Sequence, residues 1–319
     1  MSPVPLGPLG RTGWNVSRIG LGCASFWARP TFSEQRARSV FDAALECGIT
    51  VFDTGASYAA GAAEERLGRM LASAGGQSAD RLFVATKAGT RTASSGRIVR
   101  DFGARAVAVQ VEDSLRRLGL ERIALLQLHG PRPEDLDDDL ISSLQRLRRD
   151  GKLALLGINA EAAVLEQLPG RSEFDVLMPF VSVLRPEGAT LAARAGDAGL
   201  GVLAAEPLAR MRFAPPWHRW LMRPSGVWYL ARALAARLRA PAQTAPRMRR
   251  IRRALKADGW TPAQLALAWV LARPGISSAV FGTTRPEHVH ELARAATRPL
   301  PAAVQSALTA CLSSPGDLR

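Results

Sequence analysis

Four side chains able to move or steer a proton stand at the ends of short apolar runs in the first 130 positions. Asp53 and Tyr58 lie in Val51-Phe52-Asp53-Thr54-Gly55-Ala56-Ser57-Tyr58. Lys87 closes Leu82-Phe83-Val84-Ala85-Thr86-Lys87, and His129 closes Ile123-Ala124-Leu125-Leu126-Gln127-Leu128-His129. A free phenol, with a pKa of about 10, is a poor acid at neutral pH, but a neighbouring ammonium stabilises the phenolate and lowers that value. Lys87 would do this to Tyr58, Asp53 would hold the lysine charged, and His129 would donate a hydrogen bond to a carbonyl oxygen. Such a set protonates a developing alkoxide. Taken singly, each residue reads equally well as a satisfied polar group of a core. The lysine stands out by composition: Lys87, Lys152 and Lys256 are the only lysines among 42 basic residues. Lys87 is thus a position where arginine does not serve, although Lys152 has no evident chemistry.

For four distant residues to meet, the runs that carry them must share one end. Runs of four to eight apolar residues followed by helical periodicity read as buried parallel strands. Strands are expected at 18–22, 49–53, 82–86, 123–127, 153–157, 174–178, 200–204 and 277–281. Helices are expected from an N-cap at Ser33 to about Glu46, then at 62–74, 104–118, 138–149, 187–198, 262–273, 286–296 and 301–312. Thr261-Pro262 supplies a cap followed by proline in the first turn. Alternating strands and helices predict a single (β/α)8 TIM barrel over 1–319, with an N-terminal hairpin at Leu6–Val16 plugging its floor. In such a barrel, catalytic groups gather at the C-terminal ends of the strands.

This arrangement resembles the aldo-keto reductase family, whose Asp, Tyr, Lys and His occur in that chain order. Phe52-Asp53-Thr54 with Tyr58, Glu64-Glu65-Arg66-Leu67-Gly68-Arg69, Ala85-Thr86-Lys87, Asp113 to Gly119, Leu128-His129, Gly151-Lys152, Pro207-Leu208 and Gln264 to Leu271 carry the likeness. The resemblance implies reduction of an aldehyde or ketone by NADPH, with Asp53, Tyr58, Lys87 and His129 catalytic and Tyr58 the acid. It also implies a cofactor held by Gly22, Asp53, Asn159, Leu208, Gly282, Thr283, Thr284 and Arg285. Arg285 near a helix start suits a phosphate. No metal is implied.

The chain departs from the family where the nicotinamide would lie. Gly157-Ile158-Asn159-Ala160 stands in place of Ser-Asn, Met178 in place of glutamine, and Ala205-Glu206-Pro207-Leu208 lacks the aromatic residue that usually stacks on the ring. His288 and Leu292 occupy the adenosine positions. Three readings remain open: other residues hold the same cofactor, the pocket runs a redox-neutral elimination or cyclisation, or the protein is a non-catalytic binding subunit.

The chain's 319 residues carry a formal net charge of +14, unevenly spread. Between Pro207 and Ala257 there are 13 basic residues and no acidic ones, leaving 29 basic and 28 acidic elsewhere. The segment 209–256, after the seventh strand, reads as a basic insert at the rim of the active-site face. Trp217, His218, Trp220, Trp228 and Tyr229 sit among its arginines. It is either a solvated surface, a device to recruit an anionic or carrier-bound substrate, or a shallow membrane contact. Nucleic acid is not expected, as no reading motif accompanies the charge. Three scattered cysteines, no apolar signal core and no run of about 18 apolar residues predict a soluble protein of a reducing cytoplasm, without stable membrane insertion.

Overall fold

The structure, a computed structural model, describes residues 2–75, 81–93, 95–167, 172–209 and 244–312. Eight parallel strands close into a barrel in the cyclic order β3 (Ile19–Gly22), β4 (Val51–Asp53), β5 (Phe83–Ala88), β8 (Ile123–His129), β9 (Leu153–Ala160), β10 (Val176–Pro179), β11 (Gly201–Ala205) and β12 (Ser278–Phe281). β12 returns to β3 in register Val280↔Gly20, which closes the cylinder. A hairpin of β1 (Leu6–Pro8) and β2 (Asn15–Ser17) precedes it, and a second hairpin, β6 (Thr90–Thr92) with β7 (Ile98–Arg100), follows β5. This second hairpin is not among the expected elements, since its strands are three residues each and carry no apolar alternation.

Helices wrap the barrel: α1 (Glu34–Glu46), α2 (Ala62–Ser73), α3 (Ala104–Leu118), α4 (Asp138–Arg149), α5 (Ala162–Leu165), α6 (Glu187–Asp197), α7 (Thr244–Ala254), α8 (Pro262–Leu271), α9 (Pro286–Ala296) and α10 (Ala302–Leu312). Their starts follow local chemistry. The Ser33 side chain accepts from the Arg36 amide, and Thr261 and Gln264 form a reciprocal cap at α8. Gly68 lets α2 lie against α3, since a methyl there would sit 2.3 Å from the Arg117 carbonyl oxygen. This explains part of the Glu64-to-Arg69 motif. Glu64, fully buried, accepts from the Thr86 hydroxyl at 2.5 Å and pairs with Arg117 at 2.9 Å.

Two apolar cores result. One lies between strands and helices. The other fills the barrel, where Leu9, Val16, Val51, Phe83, Leu125, Leu155, Val176, Leu203 and Val280 cluster. Leu9 and Val16 belong to the hairpin side, so the expected plug is observed. The period-two alternation of strands then settles the polar residues. Val51 points inward, so Asp53 does; Phe83 and Ala85 point inward, so Lys87 does; Leu125 points inward, so Gln127 and His129 follow.

Most of the basic insert, 210–243, lies outside the described residues, and with it Trp217, His218, Trp220, Trp228 and Tyr229. Its last stretch is anchored: Ile251 and Leu255 are buried, while Arg249, Arg250, Arg252 and Arg253 are exposed.

Candidate active site

Lys87 is the centre of the arrangement. Its Nζ lies 2.5 Å from Asp53 Oδ2 and donates to the Thr54 carbonyl at 2.8 Å. It also stands 5.1 Å from the centre of the Tyr58 ring. Asp53 is held from its other oxygen by Gln127 Nε2 at 3.0 Å. The rings of Tyr58 and His129 meet edge to face, with centroids 5.5 Å apart. All four expected residues therefore converge at the C-terminal mouth, as their strands require.

Tight turns bring them there. A methyl at Gly55 would sit 3.3 Å from the Tyr58 ring and 3.4 Å from Lys87 Cβ, closer than ordinary van der Waals contact. The main chain of Ala56 donates to the Lys87 carbonyl at 3.0 Å, and Tyr58 to that of Gly55 at 2.9 Å. Ala59 and Ala60 then take left-handed conformations, φ 52° and 56°, before Gly61 at 94°. Two alanines in that region are strained by roughly 1–2 kcal/mol each, a cost borne directly behind the phenol.

Burial dominates the electrostatics. It raises the Asp53 carboxyl above its ordinary value, against the pull of Lys87 and Gln127. It pulls the lysine down, but Asp53 and Tyr58 together outweigh it and leave Lys87 a firm cation. Tyr58 corrects the expectation drawn from sequence. Lys87 does lower the phenol's pKa, yet burial raises it by more, with Asp53 and Glu206 adding to the rise. The resting phenol is thus firmly protonated. His129 falls to about 3, through burial and then the nearby Lys87 charge, so its ring is neutral.

Sequence reasoning left three contributors unassigned. Gln127 lies two residues before His129 on the same inward face, a parity that could have found it. Ser57 and Thr90 both touch His129 Nδ1, at 3.5 and 3.0 Å, and Thr90 is held there by the unforeseen hairpin, which is tied to the loop after β4 through Ser57. Lys152, whose role was open, forms an exposed ion pair with Glu112.

The expected cofactor residues divide by location. Gly22 ends β3, next to Val280 and Phe281 of β12. Gly282 is exposed, Thr283 is buried, and Thr284 and Arg285 are half-buried at the start of α9. The Thr283 hydroxyl accepts from the Arg285 amide at 3.1 Å and sits 3.0 Å from His288 Nδ1. The Arg285 amide is taken by Thr283 and Pro286 has no N–H, so what this end offers a phosphate is the Arg285 guanidinium, which stands 3.9 Å from Glu287 in the first turn of α9. At the ring end the fit is thinner. Asn159 Nδ2 donates to the Met178 carbonyl at 2.8 Å, the Met178 side chain is buried among apolar neighbours, and Leu208 is half-buried. Ala205 is buried beside Phe180, and Glu206 takes a left-handed φ of 53° at the end of β11. Among the described residues no group of His, Cys, Asp and Glu could hold a metal.

An eight-stranded parallel barrel whose mouth carries a buried Asp-Lys pair beneath a half-buried Tyr and His is the architecture of a class of oxidoreductases. The sequence profile of the aldo/keto reductase family matches residues 18–313, and the chain belongs to that family. A solved aldo-keto reductase of Bacillus halodurans, in its holo form, superposes with a TM-score of 0.78 at 25% identity, covering 97% of this chain and 96% of its own. An NADH-specific methylglyoxal reductase of Escherichia coli (strain K12) is 26% identical over 306 residues, 89% of this chain and 91% of that protein. A putative voltage-gated potassium channel subunit beta of Schizosaccharomyces pombe is 24% identical over 307 residues, 92% and 88% respectively.

Proposed function

We propose that the protein reduces an aldehyde or ketone to an alcohol with NADPH, Tyr58 acting as general acid. The observation that carries this reading is the bridge made by Lys87, one side on Asp53 and the other facing the Tyr58 ring, opposite a neutral His129. A bound reduced nicotinamide would supply hydride to the carbonyl carbon. The chain's own residues handle the proton. Burial keeps Tyr58 protonated until an alkoxide develops beside it; the phenolate left behind is then stabilised by Lys87. Neutral His129 orients the carbonyl by donating from one ring nitrogen. Asp53 and Gln127 keep the ammonium in place.

Gly22, Asn159, Leu208 and the Gly282–Arg285 segment would hold the nucleotide. Arg285 at the start of α9 supports a preference for the extra phosphate of NADPH, although the methylglyoxal reductase relative is named for NADH. The described helices include none long and apolar enough to cross a membrane, and Cys23, Cys47 and Cys311 are free, which supports a cytoplasmic site of action. A purely binding role is disfavoured, since binding needs no acid. A redox-neutral proton transfer at Tyr58 and His129 is the second reading, favoured by the apolar Met178 and Ala205.

Tyr58→Phe tests the assignment. It should reduce carbonyl turnover by about 10²–10⁴, leaving thermal unfolding and nucleotide affinity close to wild type. Titration of tryptophan fluorescence with NADPH and NADH separates the two readings: if neither nucleotide binds at near-millimolar concentration, the redox-neutral one replaces the reductase.

A further inference from the structure

Two hydroxyls beside His129 take no part in the chemistry described above. Ser57 and Thr90 are both buried, at 3% and 7% exposure. Thr90 Oγ1 lies 3.0 Å from His129 Nδ1 and 3.0 Å from Ser57 Oγ, and Ser57 Oγ lies 3.5 Å from the same ring nitrogen. The three form one short chain from the loop after β4, through the β6–β7 hairpin, to the end of β8. We propose that Thr90, oriented by Ser57, is the positioning residue that keeps the proton of His129 on Nε2, the nitrogen turned away from these hydroxyls and free to donate to the substrate oxygen.

The reasoning is a count of protons. A neutral imidazole has one N–H and one bare nitrogen, and each hydroxyl has one proton. Neutrality of His129 follows from its burial and from the charge of Lys87. In one arrangement, Ser57 donates to Thr90 and Thr90 donates to Nδ1, so the ring proton is on Nε2. Both hydroxyl protons then have an acceptor inside the relay, and the ring N–H is left for the substrate oxygen. In the reverse arrangement, Nδ1–H donates to Thr90 and Thr90 donates to Ser57. The Ser57 proton must then find an acceptor elsewhere. Among the described residues, the only side-chain partners of Ser57 Oγ are Thr90 and His129, and both are already donating. A buried donor would be left unpaired, and that penalty disfavours the reverse arrangement. The relay is therefore complete in one direction only.

The backbone holds this geometry in place. Thr92 Oγ1 donates to the Ser57 carbonyl at 3.1 Å, tying the hairpin to the loop that carries Tyr58. Gly89, at φ +90°, turns the chain out of β5 into the hairpin; its amide donates to Gln110 Oε1 at 3.0 Å, and Phe102 lies where a side chain would be. With the ring proton instead on Nδ1, Nε2 would present a lone pair to the carbonyl oxygen, and the contact would become repulsive.

This inference rests on the carbonyl-reductase reading, so its test has a readout independent of turnover. Nitrogen-15 chemical shifts of labelled histidine in the full-length protein report the tautomer directly. Four histidines are present, and His129 is assigned by the signal lost in His129→Gln. Wild type should show protonation at Nε2. Thr90→Val, which keeps the shape and removes the hydroxyl, should mix or reverse the tautomers and lower kcat for nitrobenzaldehyde about tenfold, with KM for the nucleotide unmoved. Thr90→Ser should restore both. Ser57→Ala should keep the wild-type tautomer, because Thr90 still donates. Protonation at Nδ1 in the wild type, or an unchanged tautomer in Thr90→Val, overturns the proposal; the first needs no variant to fold. Should the tautomer behave as expected while no carbonyl is reduced, the grip of Thr90 on His129 stands and the reductase reading falls.

Discussion

Replacing Lys87 by methionine removes one charge from the middle of the site while keeping a straight, buried side chain. The ammonium lies 5.1 Å from the centre of the Tyr58 ring, and at an effective dielectric constant of about 20 a unit charge there is worth about 3 kcal/mol to a phenolate. That corresponds to about 10²-fold in the rate of a step whose transition state carries phenolate character. Asp53 opposes the lysine's influence on Tyr58, but an unpaired buried carboxylate takes up a proton, so its opposition disappears with the lysine. Single-turnover oxidation of a bound reduced nicotinamide nucleotide, followed by its absorbance, isolates this step from product release. Lys87→Met should therefore slow it about 10²-fold. Lys87→Arg should be nearly as slow, because the side chain is 1% exposed and its Nζ is enclosed within 2.8 Å by Asp53 and the Thr54 carbonyl. A planar guanidinium does not fit a space shaped for a compact ammonium. Asp53→Asn added to Lys87→Met should recover stability and no activity. A single-turnover rate for Lys87→Met within about threefold of wild type, under 1 kcal/mol, would refute the charge argument.

Three further outcomes follow from the same geometry. His129 is depressed to about 3 in the fold from an ordinary 6.5, so the unfolded chain binds more protons between those values and stability falls as pH drops through that window; at pH 5 the loss is about 2 kcal/mol, and urea unfolding of wild type against His129→Gln should show the difference vanish above pH 7. Gly89→Ala should cost about 1–3 kcal/mol, read as a lowered Tm with a matching fall in kcat, because the new methyl meets the Phe102 ring and the hairpin carrying Thr90 must shift; an unchanged Tm would contradict it. Replacing the exposed Arg249, Arg250, Arg252 and Arg253 by Gln should raise KM for an anionic aldehyde at low ionic strength and leave kcat for a neutral one unchanged, whereas an equal loss in kcat would show that this segment supports the pocket itself.

The strands and helices were legible because their signals are local. Ser33 and Thr261 cap helices by their own side chains, and each apolar run carries its alternation in the sequence. Parity alone places Asp53, Lys87 and His129 on the inner face once the strands are known. The β6–β7 hairpin was not legible, because its strands are only three residues each and its direction is set by the left-handed turn at Gly89 against the Phe102 ring, which no local pattern signals. Thr90 carries no local signal for the same reason, although it stands only three residues beyond Lys87.

The amino-acid sequence by itself determined the family, the barrel and the identity of the four polar residues at its mouth, because these depend on residue type, order and period. It also determined where the excess charge lies. Only the tertiary structure decided the protonation of those residues. Charge type predicted that Lys87 would lower the Tyr58 pKa; the folded protein holds the half-buried phenol where loss of water outweighs that pull, and holds His129 neutral. Such balances depend on how much water each group loses and which partners surround it, and those quantities exist only after distant segments of the chain have closed over the site.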